Sequence, residues 1–196
     1  MSSIKLTADS GGGTFEIKAP SSSGNTRVLT LPDTGNITVP DTNGITVADN
    51  WYVNSQLQPS SGTNTITANW ERGTSAQFGS IGSAMTQSSG IFTFPSTGIY
   101  YCSIGGSFYR GSNGWDYVGF TIQTTSDNGS SYYTAASVYN ALPSQGGSTF
   151  SSMTTYFIFD CTDTSTHKVR FQTEADASGT TIVDVAGRRF NVIFIR

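Results

Sequence analysis

The thirteen residues from Ser89 to Tyr101, SGIFTFPSTGIYY, constrain the fold more tightly than any other stretch. Ile91, Thr93 and Pro95 alternate with Phe92 and Phe94. That period of two fits a pleated strand with one buried face. Pro95 closes the strand because it has no N–H to give the ladder. Gly98 supplies the backbone freedom of a tight reversal. Ile99, Tyr100 and Tyr101 then open a second aromatic strand. A strand, a reversal and a strand with this aromatic content imply an all-β chain.

The same punctuation runs on to the end. Strands are predicted at 90–95, 98–109, 116–125, 131–139, 149–160, 167–174, 180–184 and 188–195, with turn signals such as Ser126-Asp127-Asn128-Gly129 and Gln145-Gly146-Gly147 between them. Regular short strands of this kind indicate a sandwich or jelly roll. No stretch has a helical apolar period. Charged residues are only 12% of the 196, while aromatics are also 12%, a content that excludes disorder. The formal net charge is −3 and no Lys/Arg run exists, so the basic footprint of a nucleic-acid binder is missing. No stretch approaches the roughly 18 apolar residues of a membrane span, and no membrane insertion is expected. The start, MSSIKLTADSGGG, lacks the apolar core of a secretory signal.

The first fifty residues differ in kind. Ile4-Lys5-Leu6-Thr7 and Phe15-Glu16-Ile17-Lys18 alternate apolar with polar around Gly11-Gly12-Gly13, which reads as a hairpin. LTLPDTGN, ITVPDTNG and ITVADN follow with a period of eight, aligning Leu29, Ile37 and Ile45, then Leu31, Val39 and Val47, then Asp33, Asp41 and Asp49. Such a unit cannot bury its own apolar face and must stack on neighbours. Two readings are open: a β-meander packed on the main domain, and a slender arm of an oligomer. Residues 1–50 are assigned as a β-rich arm, with Ile4, Leu6, Phe15, Ile17, Leu29, Leu31, Ile37, Val39, Ile45 and Val47 as its anchoring and oligomer positions. Residues 51–74, bracketed by Trp51 and Trp70, read as a Pro/Ser/Gly-rich junction. Residues 75–196 form the main domain.

No catalytic constellation stands out. His167, the sole histidine, follows a turn of Thr and Ser. Asp160, Asp163, Glu174 and Asp176 sit at strand ends, where turn formation explains them. Cys102 and Cys161 lie in apolar strands and read as buried thiols. One His and no Cys-x-x-Cys spacing argue against a metal, and no cofactor is expected. The candidate recognition loop is Tyr109, Arg110, Trp115 and Tyr117 around Gly111-Ser112-Asn113-Gly114, since aromatics beside polar loops stack on sugars or form protein interfaces.

GIFTFPSTGIYY at 90–101 resembles the G-x-F-x-x-P-x-x-G-x-Y signature of the complement globular-head and tumour-necrosis-factor-like jelly rolls. Val118–Ile122, Phe157–Asp160 with His167–Phe171, and the closing Phe190–Arg196 resemble later strands of that family. The resemblance covers about 75–196 and implies an antiparallel jelly-roll sandwich that assembles as a trimer. Residues 1–50, with SIKLTADSGGGTFEIKAP and RVLTLPDTGNI, resemble N-terminal segments of bacteriophage virion proteins. Together these imply a homotrimeric virion structural protein of the capsid-decoration, cement or head-fibre kind, assembled in the host cytoplasm and placed on the capsid exterior. Its partners would be its own copies and the major capsid protein or other virion proteins. The alternative is a tail fibre or receptor-binding tip holding host surface glycan or protein, and a free-standing lectin is a third class.

Overall fold

The computed structural model describes residues 3–7, 14–18, 24, 44–73, 79–110, 115–143, 149–176, 181–183 and 190–196. These residues hold fourteen β-strands and no helix. The chain divides into two units, Met1–Asp41 and Thr42–Arg196.

In the first unit, β1 (Ser3–Thr7) pairs antiparallel with β2 (Thr14–Lys18). Ile4 is opposite Ile17 and Leu6 opposite Phe15, the hairpin expected from the sequence. The repeat positions Leu29, Leu31, Ile37 and Val39 lie outside the described residues.

The second unit comprises β3 (Ala48–Val53), β4 (Gly62–Thr65), β5 (Trp70–Arg72), β6 (Thr86–Ser88), β7 (Ile91–Thr93), β8 (Gly98–Arg110), β9 (Trp115–Thr125), β10 (Tyr133–Leu142), β11 (Thr149–Cys161), β12 (Lys168–Ala175), β13 (Thr181–Val183) and β14 (Asn191–Ile195). They form two antiparallel sheets. One runs β10-β9-β12-β7-β6, with β4 on the same edge of β12 as β7. The other runs β11-β8-β14-β3-β5, with β13 beside the far end of β8. The last strand, β14, lies between β8 and β3, so the chain's two ends of this unit meet in the middle of a sheet.

The sandwich begins earlier than position 75. Val47, the last arm position in the eight-residue repeat, is buried in the core, and Trp51, Tyr52, Val53, Ile66 and Trp70 of the expected junction are buried too. The junction reading failed because β4 and β5 are only four and three residues long, too short to show a period. Ile45 is exposed, and Asp49, the last aspartate of the repeat, is buried. Asp49 Oδ2 accepts from Trp51 Nε1 and from the Met85 amide, both at 2.9 Å. Its Oδ1 accepts from the Asn50 amide and Arg72 Nε, both at 3.1 Å. One carboxylate therefore ties β3, β5 and the start of β6 together.

The aromatic strands fill the core. Phe92 meets Trp51, Trp70, Phe171 and Phe194 with ring centroids 5.1–5.5 Å apart. Phe94 packs on Tyr100 at 4.6 Å and Phe159 at 5.1 Å. Such pairs add about 0.5–1.5 kcal/mol each beyond area burial. Tyr100 is fully buried, and its hydroxyl donates to the Ser96 carbonyl at 2.9 Å, so the ring enters the core without stranding its polar end. Cys102 and Cys161 are buried free thiols, and burial pushes both thiol pKa values up.

Candidate functional site

The four residues of the expected recognition loop do not make one patch. Side chains alternate along a strand, so Tyr109 and Arg110 point to opposite faces of β8. Tyr109 lies on the outer face, 4.9 Å from Phe150. Arg110 continues the inward series Tyr100, Cys102, Ile104 and Phe108 and is only 1% exposed, which corrects its expected surface role. Trp115 opens β9 opposite Leu142, and its side chain lies outside the described residues. Tyr117 is 37% exposed on the outer face of the other sheet.

Tyr117 has a partner on the neighbouring strand. Tyr139 on β10 is opposite Gly119, and its ring lies across that glycine. A Cβ at Gly119 would overlap the Tyr139 ring and come within 2.6 Å of the Val138 carbonyl. The Tyr139 hydroxyl donates to Glu174 Oε2 at 2.8 Å, and the Tyr117 and Tyr139 rings meet edge to face at 5.7 Å. Asp176 Oδ2 accepts from the Asp116 amide at 2.8 Å. Partial removal from water, followed by the Glu174 and Asp176 carboxylates, raises the Tyr117 phenol pKa. The result is a fixed aromatic platform with carboxylates on one side. A lone glycine within an aromatic strand was the available signal for it.

The outer face of the β8–β11 ladder is the larger feature. Ile99, Tyr156 and Ile158 are 56%, 63% and 55% exposed, and Phe150 is also exposed. Tyr156 stacks on Tyr101 with centroids 5.5 Å apart. Register places Ile158 and Ile195 on either side of Tyr101, so these side chains form one apolar surface. Towards Tyr109 and Phe150 the face flattens into Gly105, Ser107, Ser152 and Thr154, with Ser107 hydrogen-bonded to Ser152. Large exposed apolar patches mark interaction sites.

Of the candidate carboxylates, Asp163, Glu174 and Asp176 have structural partners. Asp163 Oδ1 accepts from the Ser165 amide at 2.8 Å and hydroxyl at 2.7 Å, and these bonds lower its pKa. Asp127 is lowered in the same way, chiefly by the Thr125 hydroxyl at 2.6 Å. His167 contacts the Thr162 and Thr166 hydroxyls and the Phe159 ring. Among the described residues, no group of three His, Cys, Asp or Glu side chains could hold a metal ion.

No family model matches the sequence, and no curated relative matches it. Solved structures do match the fold. Murine APRIL at pH 8.0 is similar with a TM-score of 0.50 at 10% identity, covering 76% of this chain and 98% of that one. The pH 5.0 form gives a TM-score of 0.48 at 12% identity with the same coverage. Identity this low speaks for the fold alone. Two antiparallel sheets in this arrangement make the second unit a tumour-necrosis-factor-like jelly roll.

Proposed function

We propose that the chain is a homotrimeric bacteriophage structural protein that decorates the capsid exterior. The first unit attaches it to the major capsid protein or a neighbouring virion protein, and the jelly roll projects as the knob. One observation supports self-association above all: the outer face of β8 and β11, where exposed Ile99, Tyr156 and Ile158 surround the half-buried Tyr101. Folds of this type are typically homotrimeric, and closed symmetry lets one such face be covered by copies of itself. The virion assignment rests on the resemblance of residues 1–50 to phage virion proteins. The mechanism is adhesive: three tethered arms raise the effective concentration of each attachment, and strand addition by an arm supplies backbone hydrogen bonds.

Densitometry of purified virions tests this reading. A decoration protein approaches the copy number of the major shell protein, whereas a few copies per particle would refute decoration. The Tyr117–Tyr139 platform favours a second reading, a tail fibre tip whose aromatics stack on host surface glycan. Low copy number, with glycan-array binding abolished in a Y117A/Y139A variant, would support it.

A further inference from the structure

Arg110 carries a guanidinium that the described fold leaves half satisfied. The side chain is 1% exposed on the inner face at the end of β8. Its Nη1 reaches the Leu142 carbonyl at 3.5 Å, a long contact. Among the described residues, its Nε and Nη2 have no hydrogen-bond partner, and the ion pair is between Arg72 and Asp49. A buried charge without a counter-charge is strongly unfavourable. The two unpaired nitrogens are adjacent on one edge of the planar group. That edge presents two parallel N–H groups, the fork that takes two oxygens of one anion.

A second orphan lies beside it. Ser151 on β11 is buried, and its Oγ also has no partner among the described residues. Thr149 is opposite Arg110 and Ser151 opposite Phe108, so Ser151 is the diagonal neighbour of Arg110 on the same inward face. Diagonal neighbours in a ladder lie about 7–8 Å apart, within reach of a long side chain. The bulge between Asn140 and Leu142 on β10 presents the Leu142 carbonyl to the same end of the sandwich.

We infer that Arg110 and Ser151 form the seat of one small oxyanion taken up from solution, a carboxylate, phosphate or sulfate. Two of its oxygens accept from Nε and Nη2, and the Ser151 hydroxyl donates to one of them. Two coplanar oxygens match the fork, whereas a halide engages a single point. The site is independent of virion attachment, because it lies inside the jelly roll.

Thermal unfolding of the full chain at constant ionic strength, titrated with formate, phosphate or sulfate against chloride, tests the assignment. An anion that binds only the folded state lowers the unfolding constant about 100-fold at 100 times its Kd. For a chain of this size that moves Tm up by about 5–10 °C. The expected response saturates, is absent with chloride, weakens in S151A and is lost in R110M and R110K. Exclusion of sulfate and phosphate from protein surfaces stabilises any protein, but without saturation and equally in the variants. Met replaces a buried Arg at similar volume, and if R110M does not fold, R110K and S151A decide. A wild-type response no different from chloride overturns the proposal, as does an unchanged response in R110K.

Discussion

At the scale of single residues, two polar groups decide how much of the core can be aromatic. Tyr100 keeps its ring buried because the Ser96 carbonyl accepts its hydroxyl. Truncation to alanine removes the contact with Phe94 and leaves a cavity, and Tyr100→Ala is expected to cost about 3–5 kcal/mol in chemical denaturation. Asp49 works in the opposite direction, accepting four donors in an otherwise apolar corner. Asp49→Ala orphans the Met85 amide and the Trp51 indole, and a loss of about 3 kcal/mol or more is expected from the same measurement, at about 1–3 kcal/mol per stranded group. Gly119→Ala should displace the Tyr139 ring and break its bond to Glu174, visible as altered Tyr139 chemical shifts with the jelly roll still folded.

Among the elements, the β1–β2 hairpin and the strands from β7 onward were legible in the sequence, and β3 to β6 were not. Strands expected at 98–109, 149–160 and 167–174 are observed at Gly98–Arg110, Thr149–Cys161 and Lys168–Ala175. Those elements are long enough for alternation to show. β3 and β4 are hidden because their partners, β14 and β12, lie over 100 residues away, and β5 because it is only three residues long. Tyr109 and Arg110 are adjacent in sequence but end β8 on its two opposite faces, which adjacency alone does not reveal. The turn before β12 gives a pH prediction. Hydrogen bonds from Ser165 hold the Asp163 pKa below its unfolded value. Stability from this group is therefore complete above the unfolded pKa, near 3.9, and is lost as pH falls through the lower folded value. In Asp163→Asn, denaturation midpoints between about pH 5 and pH 2 should depend less on pH than in the wild type.

For the whole molecule, the boundary between the two units fixes where a truncation is informative. Removing residues 1–41 leaves Val47 and β3 in place, whereas a cut after position 53 takes a central-sheet partner from β14. On the proposed trimeric virion reading, the 42–196 fragment is a folded trimer in light scattering that does not attach to particles; decoration by the fragment would refute the arm's role. Ile158→Lys puts a charge in the middle of the exposed β8–β11 face while leaving the core untouched. On the proposed trimeric reading, it shifts the light-scattering mass from trimer to monomer with little change in far-UV circular dichroism, and an unchanged mass would place the self-association surface elsewhere.

By itself the sequence determined what is local: an all-β chain, the strand-reversal-strand corner at Ser89–Tyr101, the hairpin of Ser3–Lys18 and most of the later strands. Alternation, a proline stop and a glycine turn act over a few residues, so they can be read from a few residues. Only the tertiary structure decided what depends on distant partners. It put Val47, Trp51 and Asp49 inside the sandwich, assembled Tyr117, Tyr139 and Glu174 from three strands, and turned Arg110 inward. Those outcomes follow from ladder register, which pairs residues far apart in the chain and is not written at either one alone.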